Sequence, residues 1–120
     1  MNGKDSLKQT MEIVDEFTSE RDWNQFHTIK NLISSISIEA AELSETIQWT
    51  NPSTEEVLAD SELIKSMSHE LADVMVYCLR LCSVLNQDPI QIMREKIKLN
   101  AEKYPIEKVK GSSKKYSDYN

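Results

Sequence analysis

A chain of 120 residues with 20 acidic and 14 basic side chains, net charge −6, has room for one domain with a modest core. The acidic balance argues against a general binder of nucleic-acid polymers, which needs a basic footprint. With only two Gly and three Pro to interrupt its periodic runs, the chain reads as all-α.

The first helix is predicted from Ser6 to Thr18, where Leu7, Met11, Val14 and Phe17 recur as one apolar stripe. Ser19-Glu20-Arg21-Asp22 reads as a turn, with Asp22 as the cap of a short helix beginning at Trp23. The second helix is expected from Thr28 to Trp49, its apolar face built from Leu32, Ile33, Ile36, Ala40, Leu43 and Ile47, and Asn51-Pro52 ends it. Ser53 followed by Glu56 is a capping-box pattern for a new helical segment. A third helix from Ser61 to Leu85, open to continuity with that segment, carries an apolar surface broad enough for a central position. Asn86-Gln87 breaks it. Asp88-Pro89 restarts the chain as a fourth helix to Lys103, with Ile90, Met93 and Ile97 expected inward, and Tyr104-Pro105 terminates it.

The domain is therefore expected at 1–105, with 106–120 as a flexible tail. That tail holds Lys108, Lys110, Lys114 and Lys115 against Glu107 and Asp118, a balance of +2 that leaves −8 on the body. Cys78 and Cys82, one helical turn apart, read as small core residues, because two further ligands for a thiolate zinc site are lacking nearby. No secretory signal and no membrane-spanning apolar run is expected, so the chain reads as soluble, cytoplasmic and free of membrane partners.

Two acidic pairs interrupt the apolar runs: Glu39-Ala-Ala-Glu42 and Glu70-Leu-Ala-Asp73. Residues three apart share a helix face, and burying charge is costly unless it is paired or coordinated. The short link between the second and third helices predicts antiparallel neighbours with Glu39, Glu42, Glu70 and Asp73 facing one another. An all-oxygen donor set selects hard cations, Mg²⁺ first and Mn²⁺ as a substitute, in a site of one to three ions. Acids on a solvated face are the ordinary alternative. A di-iron carboxylate centre is the rival metal reading, but it needs Glu-x-x-His motifs, and neither pair contains one. Around the pairs, Trp23, His27, Trp49 and Tyr77 offer rings for a base, and Asn31 and Asn100 offer hydrogen bonds. Lys30, Lys96 and Lys103 offer charge for phosphate, with Tyr104 at the end of the same helix side as Lys96 and Asn100.

These residues resemble the MazG-like all-α nucleotide pyrophosphohydrolases, and within them the dCTP pyrophosphatase branch. The likeness runs through Arg-Asp-Trp-Asn-Gln-Phe-His (21–27), Asn31-Leu32, the pair Glu39 and Glu42, Gln48-Trp49, Glu70-Leu-Ala-Asp-Val (70–74) and Tyr77. It continues through Lys96, Asn100 and Lys103-Tyr104-Pro105, so it covers residues 17 to 105. The resemblance implies a four-helix MazG-like bundle assembled as a dimer of dimers, or at least a homodimer, whose sites draw on more than one subunit. It implies hydrolysis of a nucleoside triphosphate between the α and β phosphates, most closely dCTP or a modified dCTP, in nucleotide-pool cleansing. Carried over by position, Glu39, Glu42, Glu70 and Asp73 would bind Mg²⁺. Trp23, His27, Trp49 and Tyr77 would shape the base and sugar pocket, and Lys30, Asn31, Lys96, Asn100, Lys103 and Tyr104 would meet phosphate or sugar. A glutamate of the first pair, Glu39 or Glu42, would take the proton of the attacking water. The chain departs from the branch where Thr28-Ile29-Lys30 replaces Gln-Pro-Arg, at Ser34, Ser35 and Ser37, and at Thr46. Lys30 keeps the charge of Arg but not its two-pronged geometry. These changes bear on base preference and subunit contact. The same reaction on dUTP, and a helical interaction module without catalysis, are the other readings.

Overall fold

The structure, a computed structural model, describes residues 6–113. Helices account for its regular structure, with no strand among the described residues, and none of these helices is long and apolar enough to cross a membrane. The chain divides into two compact units at Asn86–Gln87.

In the first unit, α1 (Leu7–Glu20) starts where the Ser6 hydroxyl accepts from the Gln9 N–H at 3.1 Å. It continues past the predicted end at Thr18. The Thr18 hydroxyl, buried at 2% exposure, turns back on the Val14 carbonyl at 2.9 Å instead of competing with the helix, and Arg21 donates to the Phe17 carbonyl. Asp22 does not cap the next segment. It turns the chain with φ +55°, and Gln25 donates to its carbonyl and carboxylate, so a 3-10 turn (Asn24–Phe26) forms without a side-chain cap.

Helix α2 (Ile29–Glu45) is capped by Thr28, whose hydroxyl accepts from the Asn31 N–H at 3.2 Å. It stops short of the predicted end at Trp49. The Thr46 hydroxyl donates to the Leu43 carbonyl at 2.8 Å, and Thr46, Ile47 and Gln48 donate to carbonyls three residues back. The last turns tighten and the helix does not resume. Helix α3 (Thr54–Leu58) carries both bonds of the Ser53/Glu56 capping box. It is separate from α4 (Ser61–Val84), because Asp60 is extended and its carboxylate accepts from the Leu63 N–H at 3.0 Å. Asn86, at φ +55°, ends that unit.

Helices α1, α2 and α3 each pack on α4, and α2 makes the most extensive contact. The two run antiparallel: Asn31 and Ser35 share a cavity with Tyr77, whereas Glu39 further along α2 meets Glu70 and Asp73 earlier on α4. Leu32 anchors this seam at 1% exposure. Other apolar residues, such as Val14, Ile36, Leu43, Met67, Val74 and Leu81, are half-buried, and many more are open on the single chain. Phe17, Ile33, Ile47, Leu71 and Met75 are exposed, as is Cys78, which the sequence suggested for the core; Cys82 is half-buried, and neither cysteine is in a disulfide.

The second unit contains α5 (Pro89–Lys103) and α6 (Ile106–Val109). The Asp88 carboxylate accepts from the Ile90 and Gln91 N–H groups at 2.9 and 3.2 Å, and Pro89 follows it at the helix start. Ile90, Met93 and Ile97, expected inward, are exposed on the single chain. The stretch expected as a tail opens with the helical turn of α6; its Lys114, Lys115 and Asp118 lie outside the described residues.

Candidate functional site

The antiparallel seam brings the two acidic pairs to one level. One oxygen each from Glu39, Glu70 and Asp73 lies within 4.8 Å of the others. Glu39 Oε2 and Glu70 Oε2 are shielded from solvent and have no hydrogen-bond partner. Burial is the first cause that raises the proton affinity of both carboxyls above the ordinary glutamate value, and the neighbouring Glu42 carboxylate is the second. Asp73 adds to both shifts, Glu70 adds to that of Glu39, and the His69 charge partly offsets the shift at Glu70. Glu42 is exposed and stands outside the tight trio, though it presses on both of its half-buried members, Glu39 and Glu70. Orphaned buried carboxylate oxygens are costly. A hard divalent cation would supply what they lack, and an all-oxygen donor set of this kind suits Mg²⁺ or Mn²⁺.

Asp73 also borders a cavity of about 410 Å³ lined by Ile13, Val14, Phe17, Trp23, His27, Val76, Tyr77 and Arg80. The walls are mostly apolar and aromatic. Phe17 and Trp23 meet edge to face at 5.8 Å, and the Arg21 guanidinium lies over the Phe17 ring, 3.7 Å from its centroid. His27 and Tyr77, with ring centroids 6.3 Å apart, line this cavity and also a second one of about 390 Å³ bounded by Asn31, Leu32, Ser34, Ser35 and Ile38.

Arg80 ties the cavity wall together. Its Nε–H donates to His27 Nδ1 at 3.1 Å, one terminal nitrogen donates to Asp15 at 3.0 Å, and the other donates to the Asn24 side-chain oxygen. The other Asp15 oxygen accepts from Ser83 at 2.9 Å. Burial, and then the Arg80 charge, lower the His27 pKa below 6.5.

The first unit thus gathers Glu39, Glu70, Asp73, Trp23, His27 and Tyr77, with Glu42 beside them. Asn31 is engaged within the fold: its amide donates to the Phe26 carbonyl at 3.0 Å, and Lys30 reaches its oxygen at 3.4 Å. Trp49 stands apart on the turn after α2, 88% exposed. Lys96, Asn100 and Lys103 lie along one side of α5, and Tyr104 is its C-cap residue, in the second unit. Arg80, Asp15 and Ser83 were not singled out by sequence, nor was the apolar lining at Ile13 and Val76. A signal for Arg80 existed: it follows Asp73 and Tyr77 at helical spacing on one face of α4.

The MazG-like family matches residues 34–119. A dCTP pyrophosphatase 1 from Mus musculus is 34% identical over 106 residues, 86% of this chain and 61% of the relative. The Homo sapiens dCTP pyrophosphatase 1 is 32% identical over 104 residues, again 86% of this chain and 61% of its own length. The chain therefore spans about three-fifths of the length of these curated relatives. A crystal structure of a pyrophosphatase from Archaeoglobus fulgidus superposes with a TM-score of 0.75 at 41% identity, covering 82% of this chain and 92% of that one.

Proposed function

The chain belongs to the MazG-like family, and from that premise we propose that it hydrolyses a nucleoside triphosphate between the α and β phosphates, releasing a monophosphate and pyrophosphate. One observation carries the reading. Asp73 belongs both to the carboxylate trio and to the wall of the aromatic cavity, so a metal-bound phosphate chain and a base would lie side by side.

Glu39, Glu70 and Asp73, with Glu42, would hold Mg²⁺ or Mn²⁺. Once bound, the ion would offset charge on the phosphate oxygens and favour attack at the α phosphorus. The chain's own groups do the rest. Trp23 and Tyr77 give the base flat apolar surfaces, and His27 and Arg80 edge the same cavity. Glu39, whose proton affinity is raised, and Glu42 beside it are the candidates to accept the water's proton. Trp49, Lys30, Asn31, Lys96, Asn100, Lys103 and Tyr104 complete the proposed set for base, sugar and phosphate. The substrate proposed is dCTP or a modified dCTP, dCTP being the nucleotide in the names of the similar mouse and human enzymes, in cytoplasmic pool cleansing.

We also propose that the working unit is a homodimer or a dimer of dimers. Ile33, Met75, Met93 and Ile97 are each at least half exposed. Open apolar faces of this extent on three helices suit burial against a second copy.

Incubation with a panel of nucleoside triphosphates and Mg²⁺, scored for pyrophosphate and monophosphate, tests the activity. Turnover is expected for the wild type and lost in Glu70→Gln. A folded wild-type chain that yields no pyrophosphate from any triphosphate would return the reading to a non-catalytic helical module. Competition among dCTP, 5-methyl-dCTP, dUTP and dTTP then ranks the bases.

A further inference from the structure

We propose that Arg80 is a positioning residue of the nucleotide site: it holds His27 in the neutral form protonated at Nε2, so that His27 donates a hydrogen bond to an acceptor oxygen of the bound nucleotide. The proposal rests on the nucleotide reading above for its ligand, but not for its chemistry.

The argument begins with the guanidinium. Arg keeps its charge in proteins and can only donate. Its Nε–H points at His27 Nδ1 at 3.1 Å, so that nitrogen must present a lone pair. The proton of a neutral imidazole then sits on Nε2. The opposite ring orientation would set a C–H against a guanidinium proton on a side chain only 11% exposed, and would leave that proton without an acceptor.

The guanidinium is itself held from three directions. Asp15 on α1 takes one terminal nitrogen and fixes its own second oxygen on Ser83. Asn24 takes the other, and its amide is oriented because its nitrogen donates to the Ser19 hydroxyl at 2.9 Å. A planar fork bound on three edges cannot swing, so the His27 ring has one orientation and one tautomer. Lysine has a single nitrogen at the end of a flexible stem and cannot reproduce the three contacts.

His27 sits on the wall shared by the two cavities, beside Tyr77. With Nδ1 occupied, Nε2–H is its remaining polar group. A ring free to exchange tautomers would meet the nucleotide as acceptor part of the time and would lose the hydrogen bond in that state.

The chain has two histidines, so a long-range proton–nitrogen NMR spectrum of the labelled protein, recorded without nucleotide, separates them readily. Exposed His69 serves as the internal reference. His27 is expected to show an unprotonated Nδ1 and a protonated Nε2, and Arg80→Met to move it toward mixed tautomers. Asp15→Asn cuts the ion pair but keeps the Nε–H to Nδ1 bond; it is expected to lower the thermal midpoint and leave the tautomer unchanged. In turnover, Arg80→Met and Arg80→Lys should raise KM about tenfold, the worth of one hydrogen bond, with kcat changed much less. Protonated Nδ1 in wild-type His27 overturns the proposal and needs no variant to fold. An unchanged tautomer in Arg80→Met, or an unchanged KM despite an altered one, also overturns it. A wild type that hydrolyses no nucleotide fails the functional reading instead, since the tautomer is read in its absence.

Discussion

Titrating Mg²⁺ or Mn²⁺ into the metal-free wild type and into Glu39→Gln tells a coordinating cluster from a merely acidic one. Without metal, Glu39 and Glu70 titrate above the reference value of 4.5, through burial first and then through Glu42 and Asp73. Between 4.5 and the raised values the folded state binds more protons than the unfolded chain. Stability therefore falls as pH rises through that window, and the penalty is complete at pH above the raised values. Glutamine at position 39 removes one of the repelling charges, so metal-free Glu39→Gln should melt higher than wild type at neutral pH. The ion reverses the order. At a free concentration about 100 times Kd, binding confined to the folded state adds about 2.7 kcal/mol. For a domain of this size that is about 10 °C in Tm. Glu39→Gln, with one ligand weakened, should gain clearly less. Differential scanning fluorimetry at neutral pH, first in EDTA and then across an ion series, reads both signs. A metal-free Glu39→Gln that melts below wild type, no response to either ion, or equal shifts in the two proteins would refute the reasoning.

Leu32→Ala, in the first turn of α2 and 1% exposed, should cost about 2–5 kcal/mol in urea unfolding; a loss well under 1 kcal/mol would mean the packing closes around the gap. The His27 pKa lies below 6.5, so the unfolded chain binds more protons in the window between the folded value and 6.5. Stability contributed there is present above 6.5 and is lost as pH falls toward the folded value. The denaturation midpoint of His27→Gln should therefore decline less than that of wild type over this window, and parallel curves would count against the Arg80–His27 contact. In sedimentation equilibrium the native chain should exceed the 13.8 kDa of one copy. Ile97→Glu, at a position 67% exposed, or Met75→Asp should reduce that mass if a second copy covers these faces; a monomeric wild type would contradict the assembly.

Local chemistry made most of the helical framework legible. Ser53 with Glu56, and Asp88 before Pro89, mark helix starts because the caps use side chains a few residues from the orphan N–H groups they satisfy. The end of α2 was less legible, since Thr46 turning its hydroxyl onto the Leu43 carbonyl depends on rotamer and not on residue type alone. Asp22 misled in the same way: aspartate suits both a cap and a left-handed turn residue, and the chain uses it as the latter.

The sequence by itself determined two acidic pairs, each on one helix face, because three-residue spacing and helical geometry leave no other arrangement. Tertiary structure alone decided that Glu39, Glu70 and Asp73 form the close trio with Glu42 at its edge, because the level at which α2 meets α4 depends on the seam around Leu32. It also decided that Arg80 reaches Asp15, Asn24 and His27, residues more than fifty positions earlier in the chain. Such contacts leave no periodic trace in sequence. The same holds for the exposed stripes of α2, α4 and α5: periodicity identifies an apolar face, but only packing decides whether this chain or another molecule covers it.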